Sequence, residues 1–287
     1  MKFRIYKDVK EFCKDTYNIL MEHESQNLIP LGNIIIGNEG KDKHGWCDPV
    51  NWFMATVSDE GGILLTAVMT PPYNLTLYMT DNITNNTALE FFISEVIKAN
   101  IPIPGVISEK SLADSFAKKY TAIKNIEYSI NMSQRIYELT KVNPEIPEIG
   151  ILRLAKDSDI AFLPYWLEFF NRNEPNAPAT GLNYEDARYH IASNRMYILE
   201  DEGIPVSIAK IAREMVTVCG VGPVFTPPYF RGKGYASSCV ARVSSIVLEW
   251  GYKKCVLYTD LTNPISNSIY QKIGYNPVCD SLAIKFE

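Results

Sequence analysis

The sequence predicts an α/β protein made of two tandem domains, each mixing strands with flanking helices. Three observations lead there. The chain has 287 residues, about twice the usual length of a single domain of roughly 150. A proline-broken stretch over residues 142–150, with Asn143-Pro144 and Ile146-Pro147-Glu148, favours extended linker over helix and divides the chain into 1–143 and 144–287. Strand and helix patterns then recur on both sides of it in a similar order, which suggests an internal duplication.

In the first half a helical pattern over residues 8–24 leads into strand-like runs at 52–57 and 63–69. A helix at 87–99, a strand at 105–108, a helix at 111–120 and a strand at 127–136 follow. In the second half a strand at 150–154 precedes helices near 160–170 and 184–193. Strands at 196–200 and 205–211 are joined by the turn-forming Asp201-Glu202-Gly203, and a long strand covers 215–225. The segments 105–120 and 256–275 each read as apolar strand, polar turn and helix ending in aromatic residues.

Composition narrows the function classes. With 46% hydrophobic and 21% charged residues the chain can bury a sizeable core. A formal net charge of -5 argues against nucleic acid or an acidic membrane surface as partner, since both need a basic excess. The uncharged stretch 61–80 contains Gly61-Gly62 and Pro71-Pro72, which suit paired strands around a turn and not a membrane span. Six scattered cysteines without a Cys-x-x-Cys pair, and no visible signal peptide, point to a cytoplasmic protein. His44 and Cys47 are too few ligands for zinc, so no metal is expected.

The chemistry concentrates in residues 222–274. Pro227 and Pro228 end the preceding strand, because proline cannot donate to a sheet ladder. Next comes Arg231-Gly232-Lys233-Gly234-Tyr235-Ala236, a glycine turn directly before a helix whose apolar residues Cys239, Val240, Val243 and Val247 have helical spacing. Such a turn offers unpaired N–H groups and the positive end of the helix dipole to an anion, with Arg231 and Lys233 at its mouth. The P-loop and dinucleotide-binding glycine patterns are both absent. The apolar run Cys255-Val256-Leu257-Tyr258 reads as an interior parallel strand, and Asn263 and Pro264 as the cap and first residue of a new helix. On that helix Ile265, Ile269 and Ile273 form an apolar stripe, and Asn263, Asn267 and Tyr270 a second, polar face.

These two motifs, in this order, resemble the acetyl-coenzyme A binding core of the GNAT superfamily of N-acetyltransferases. The first matches the family's R-x-x-G-x-G/A. The second, Asn263 to Tyr270 followed by Gly274-Tyr275, matches its asparagine, tyrosine and glycine-aromatic segment. The resemblance covers residues 151–287. For the first half it is architectural only, since no such cradle occurs there and residues 82–87 stand in its place; that half is expected to be a degenerate GNAT-like repeat without a cofactor site. The fold implied is a mixed central sheet with a splayed parallel strand pair in each domain.

By the same resemblance the backbone of Val224, Phe225 and Thr226 would hold the pantetheine arm of acetyl-CoA and polarise the thioester. The turn from Arg231 through Gly232, Lys233, Gly234, Tyr235 and Ala236 to Ser237 would bind the pyrophosphate, with Asn263 and Asn267 on the opposite wall. Tyr270 would donate a proton to the departing thiolate, a phenol being suited to a basic leaving group. The acceptor would be a primary amine of a small molecule or peptide, attacking directly, and the protein a monomer or homodimer. A general base is not assigned: Glu214 sits at the far end of the strand, and Cys219 reads as a small core residue. The rival function is a non-catalytic acyl-CoA binding or sensing protein.

Overall fold

The computed structural model describes residues 1–39, 49–80, 86–172 and 182–287. His44 and Cys47, and residues 82–85 of the segment set in the cradle's place, lie outside them.

The first ten elements are β1 (Lys2–Tyr6), α1 (Val9–Met21), α2 (Leu28–Glu39), β2 (Phe53–Asp59), β3 (Gly62–Met69), β4 (Leu75–Met79), α3 (Asn86–Lys98), β5 (Gly105–Glu109), α4 (Lys110–Lys124) and β6 (Tyr128–Leu139). The next ten are β7 (Ile151–Leu154), α5 (Leu163–Asn171), α6 (Tyr184–Ala192), β8 (Met196–Asp201), β9 (Ile204–Glu214), β10 (Val218–Phe225), α7 (Tyr235–Glu249), β11 (Lys254–Asp260), α8 (Pro264–Ile273) and β12 (Asn276–Phe286). Short 3-10 turns aside, the second set repeats the order of the first element by element. The recurrence seen in the sequence therefore extends to β1 and α2, which local patterning had not revealed. Pro30, Gly32 and Gly37 make α2 look broken. Burial on the helix includes Leu28, Leu31 and Ile34, and a Cβ at Gly37 would come within 2.7 Å of the Trp52 ring.

Helix ends follow local chemistry. The Asp8 carboxylate accepts from Lys10 N at 2.9 Å at the start of α1. Glu109 does the same for Ser111 N and Leu112 N at α4, and Asn125 closes that helix in the left-handed region. Residues 61–80 form β3 and β4, paired antiparallel. Among the described residues no helix is long and apolar enough to cross a membrane.

The chain divides into two compact units: residues 1–134 with 279–287, and residues 135–278. In unit 1 the strand order is β1-β2-β3-β4-β5-β12, with β4 and β5 parallel and β12 antiparallel to β5. Its core joins α3 and α4 to the sheet through Phe92, Phe116 and Tyr120, and takes in Leu282, Ile284 and Phe286 of β12. In unit 2 the order is β7-β8-β9-β10-β11-β6, with β10 and β11 parallel. Here α7 packs on one face, where Cys239, Val243 and Val247 meet Ala209, Val221, Tyr137 and Leu139. On the other face α5 and α6 cover Met196, Ile198 and Ile208. The last strand of each repeat thus runs partly in the unit of the other, and the segment 142–150 lies inside unit 2.

Candidate functional site

The site begins as a missing strand pairing. β10 and β11 are registered only over Val218↔Lys254, Cys219↔Cys255 and Gly220↔Val256, although both strands run on. On its other edge β10 stays paired with β9, through Val221↔Ile211, Val224↔Ala209 and Phe225↔Ile208. Three residues of β10 thus advance against two of β9, an extra residue at Gly222-Pro223 that turns the strand end. Past Gly220 one edge of β10 has no register with β11, which leaves its backbone donors and acceptors without a strand partner on that side. Side chains alternate along the strand. Val224 packs toward the α7 core, while Phe225 faces the α5 and α6 layer, 5.9 Å from Trp166 and stacked on Phe169 at 6.4 Å between centroids. Thr226 is buried and its hydroxyl lies 2.8 Å from that of Ser207.

The glycine turn follows immediately. Arg231 Nε donates to Thr226 O at 2.9 Å, folding the turn back on the strand end while its side chain stays exposed. Gly232 and Gly234 take φ of 77° and 84°, a region that favours glycine, and a Cβ at Gly232 would meet nothing within 4 Å. Gly234 is the N-cap residue of α7. Among the described residues the N–H groups of 232–237 engage in no backbone hydrogen bond; the first one after them is Ser238 N to Gly234 O at 3.0 Å. Lys233 is exposed beside them, whereas Ala236 and Ser237 are half-buried in the first helical turn. Tyr235 has a different duty: buried, it gives its hydroxyl proton to the Asp201 carboxylate, tying the start of α7 to the end of β8. The turn therefore presents a row of N–H donors without backbone partners at the N-terminus of α7, an arrangement able to take an anion.

On α8 the structure revises the two-face reading. Ile273 is fully buried but Ile265 is 72% exposed, so the stripe does not reach the first turn. Tyr270, read as polar face, is only 9% exposed and packs between Tyr137 and Tyr275 at ring distances of 6.4 and 6.0 Å. A tyrosine carries enough apolar surface to join a core provided its hydroxyl has an outlet. That hydroxyl has no hydrogen-bond partner among the described residues, and burial pushes the phenol up to about 12. Asn263 caps the helix, accepting from Ser266 N at 3.1 Å. Asn267 is a tie: its amide donates to Asp260 O and Asn263 O at 2.9 and 2.8 Å, and its carbonyl accepts from Tyr137 at 3.0 Å.

Two residues weighed as bases or nucleophiles are otherwise engaged. Glu214 is held by Arg195 at 2.6 Å and is opposite Cys219, at the paired end of β10. Cys219 is fully buried, and burial raises its thiol far above the ordinary range. A cluster that sequence reasoning missed lies on the α5 and α6 face. Lys210 Nζ is 2.7 Å from His190 Nδ1, and His190 Nε2 is 3.5 Å from Asp186 Oδ2. Burial brings Lys210 down to about 8, with Asp186 opposing the shift and Arg213 adding to it. The available signal was a single lysine in phase with Ile208, set among the apolar residues Ile208, Ala209, Ile211 and Ala212.

The model of the acetyltransferase (GNAT) family matches residues 163–275. No curated protein matches the chain by sequence. Among solved structures, a GCN5-related N-acetyltransferase from Sphaerobacter thermophilus aligns with TM-score 0.62 at 14% identity, covering 99% of this chain and 95% of that one. An acetyltransferase of the GNAT family from Colwellia psychrerythraea aligns with TM-score 0.57 at 11% identity over 100% and 99%. A tandem GNAT protein from the clavulanic acid biosynthesis pathway aligns with TM-score 0.56 at 10% identity over 100% and 98%. At such identities the likeness is one of fold, and it extends over the whole chain.

Proposed function

From the GNAT-family domain carried by residues 163–275, we propose that this protein transfers an acetyl group from acetyl-CoA to a primary amine of a small molecule or peptide. One observation carries the reading: the parallel pair β10–β11 stops at Gly220 and Val256, and the strand freed there leads straight into an anion cradle. An acyl-CoA needs both features, an extended edge for its amide-bearing arm and a helix N-terminus for its pyrophosphate. The residues present fit it. The unpaired edge at Val224, Phe225 and Thr226 would hold the arm. The N–H groups from Gly232 through Lys233, Gly234, Tyr235 and Ala236 to Ser237, with Arg231, would hold the phosphates. Asn263 has amide donors to spare for the opposite wall, whereas Asn267 keeps that wall in shape.

A backbone N–H of the freed edge would stabilise the oxyanion that forms when the amine attacks, the kind of preorganised contact that dominates acyl transfer. Tyr270 would donate to the departing sulfur. A phenol at about 12 is fully protonated at neutral pH, as a donor must be. Against a free thiol near 8.5, complete transfer from it would cost about 5 kcal/mol. Its proton therefore moves only as the sulfur becomes anionic in the same water-poor gap, which raises the basicity of the thiolate as well.

Unit 1 is proposed as a repeat without this chemistry. There the pair β4–β5 is registered at Leu75↔Val106 and Thr76↔Ile107, and the Ser108 hydroxyl donates to Leu77 O at 2.7 Å, a stitch where unit 2 opens its gap. The buried, unpaired thiols of Cys219, Cys239 and Cys255 suit a reducing, cytoplasmic setting.

The test is acetyl-CoA with a panel of amines including phenethylamine, spermidine and a lysine peptide, following thiol release. Turnover with one of them supports the reading. Tight acetyl-CoA binding without turnover of any amine would favour an acyl-CoA sensor instead.

A further inference from the structure

An amine acceptor reaches a protein at neutral pH as an ammonium ion and has no lone pair until it loses a proton. Neither Glu214 nor Cys219 is placed to take it. The Lys210 cluster is. In register, Lys210 lies between Ala209, opposite Val224, and Ile211, opposite Val221, so it stands across from the extra residue at Gly222-Pro223 where β10 leaves β11. Lys210 is paired with Met196 and in phase with Ile208, so it shares the face on which Phe225 meets α5 and α6. Glycine and proline offer it no charged neighbour on β10, and a Cβ at Gly222 would meet nothing within 4 Å, which leaves open space beside the bulge.

We propose that Lys210, backed by His190 and Asp186, accepts the proton that the incoming ammonium must lose before it attacks the thioester. This assignment rests on the gap being the acyl-donor site. The groups facing Lys210 are His190, Asp186 and the Tyr189 ring from α6 and Arg213 from its own strand; β8 presents Met196. A charged lysine has only donors, so at 2.7 Å it must donate to an unprotonated His190 Nδ1. The His190 proton then sits on Nε2, toward Asp186. The cluster in this state is full. Once Lys210 has released a proton to solvent, one of its two remaining N–H bonds keeps the hydrogen bond to His190 Nδ1 and its lone pair is free for the ammonium.

The protons balance. Neutral Lys210 takes one from the ammonium, and the freed lone pair forms the C–N bond. The C–S bond breaks as the tetrahedral intermediate collapses. Nitrogen's second proton replaces the one that Tyr270 gives to sulfur, restoring the phenol. Lys210 then returns its proton to solvent, the net proton released by the reaction.

The experiment uses the full chain with acetyl-CoA and two probes, phenethylamine and 2,2-difluoro-2-phenylethylamine, whose fluorines lower the basicity of nitrogen so that a much larger share is already neutral. Lys210→Met should lower kcat/KM for phenethylamine at neutral pH by about 100-fold, the usual contribution of a positioned base. Lys210→Arg keeps the charge and the hydrogen-bonding reach but cannot accept a proton, so it should be equally slow. For the difluoro probe both losses should shrink to a few-fold, and raising the pH should bring both variants toward wild type on phenethylamine. A fully active Lys210→Arg protein, or equal losses on both probes, would overturn the assignment while leaving acetyl transfer intact. Wild-type protein that releases no thiol with either probe, with spermidine or with the lysine peptide would overturn it together with the reading beneath it.

Discussion

Tyr270 shows how one side chain can be legible in kind and misread in setting. Its spacing from Asn263 and Gly274 marks it within the motif, yet a helical wheel assigned it to the polar face. Tertiary packing made it core, because Tyr137 comes from β6, more than a hundred residues earlier in the chain. The consequence is chemical: burial pushes its phenol up to about 12 and keeps it protonated at neutral pH, as the proposed proton donor must be. Tyr270→Phe is expected to lower kcat by about 10- to 100-fold, within the span usual for a lost proton donor. Acetyl-CoA affinity, measured by calorimetry, should change less than threefold or so, since a hydroxyl used only at the leaving group adds nothing to ground-state binding. Equal loss in both quantities would make Tyr270 a binding residue. Lys210 and His190 were illegible as a pair: they sit twenty positions apart on a strand and a helix, and no local period joins them.

The glycine turn and the strand before it are the elements the sequence described most fully, since proline, glycine and helical spacing act within a few residues. Gly234→Ala is expected to weaken acetyl-CoA by about tenfold, because a Cβ at positive φ costs roughly 1–2 kcal/mol and 1.4 kcal/mol is a factor of ten. A second element shows what local pattern concealed. Arg153 of β7 forks onto Asp159 at 2.7 and 2.8 Å and reaches Glu200 of β8 at 2.6 Å. Asp159 is only 3% exposed. Burial alone would raise its carboxyl, but the Arg153 fork and the Lys156 N–H more than reverse this, and Arg153 likewise lowers Glu200. Both folded values lie below the unfolded ones near 4, so the contribution is present above about pH 4 and is lost as pH falls through the folded values. Arg153→Met should cost about 3–5 kcal/mol near neutral pH by stranding a buried carboxylate. On acidification the Asp159 contribution should change sign, protonation now relieving the fold. Urea titrations of both proteins across the acid range would show this; parallel pH curves would refute it.

At the scale of the molecule, sequence suggested two successive halves, and the compact units cut across them. Unit 2 needs residues 135–139, whose Tyr137 and Leu139 are fully buried in its core. Unit 1 needs residues 279–287, with Leu282, Ile284 and Phe286 in its own. A fragment of residues 144–287 would lack Tyr137 and Leu139, each a loss of about 2–5 kcal/mol by comparison with large-to-small core changes, against a typical stability of roughly 5–15. It is expected to show no cooperative urea transition, and a sharp transition with native-like near-UV dichroism would prove the expectation wrong. By itself the sequence determined the mixed α/β class, the duplicated rhythm of strands and helices, the glycine turn ahead of α7 and the position of Tyr270 in its motif. All of these arise from constraints that act over one or two turns of chain. Only the tertiary structure decided which closing strand joins which unit, and that Lys210 meets His190 opposite the bulge. An apolar strand pairs as readily with one open edge as with another, and a buried amine is distinguished from a solvated one only by what the distant chain brings against it.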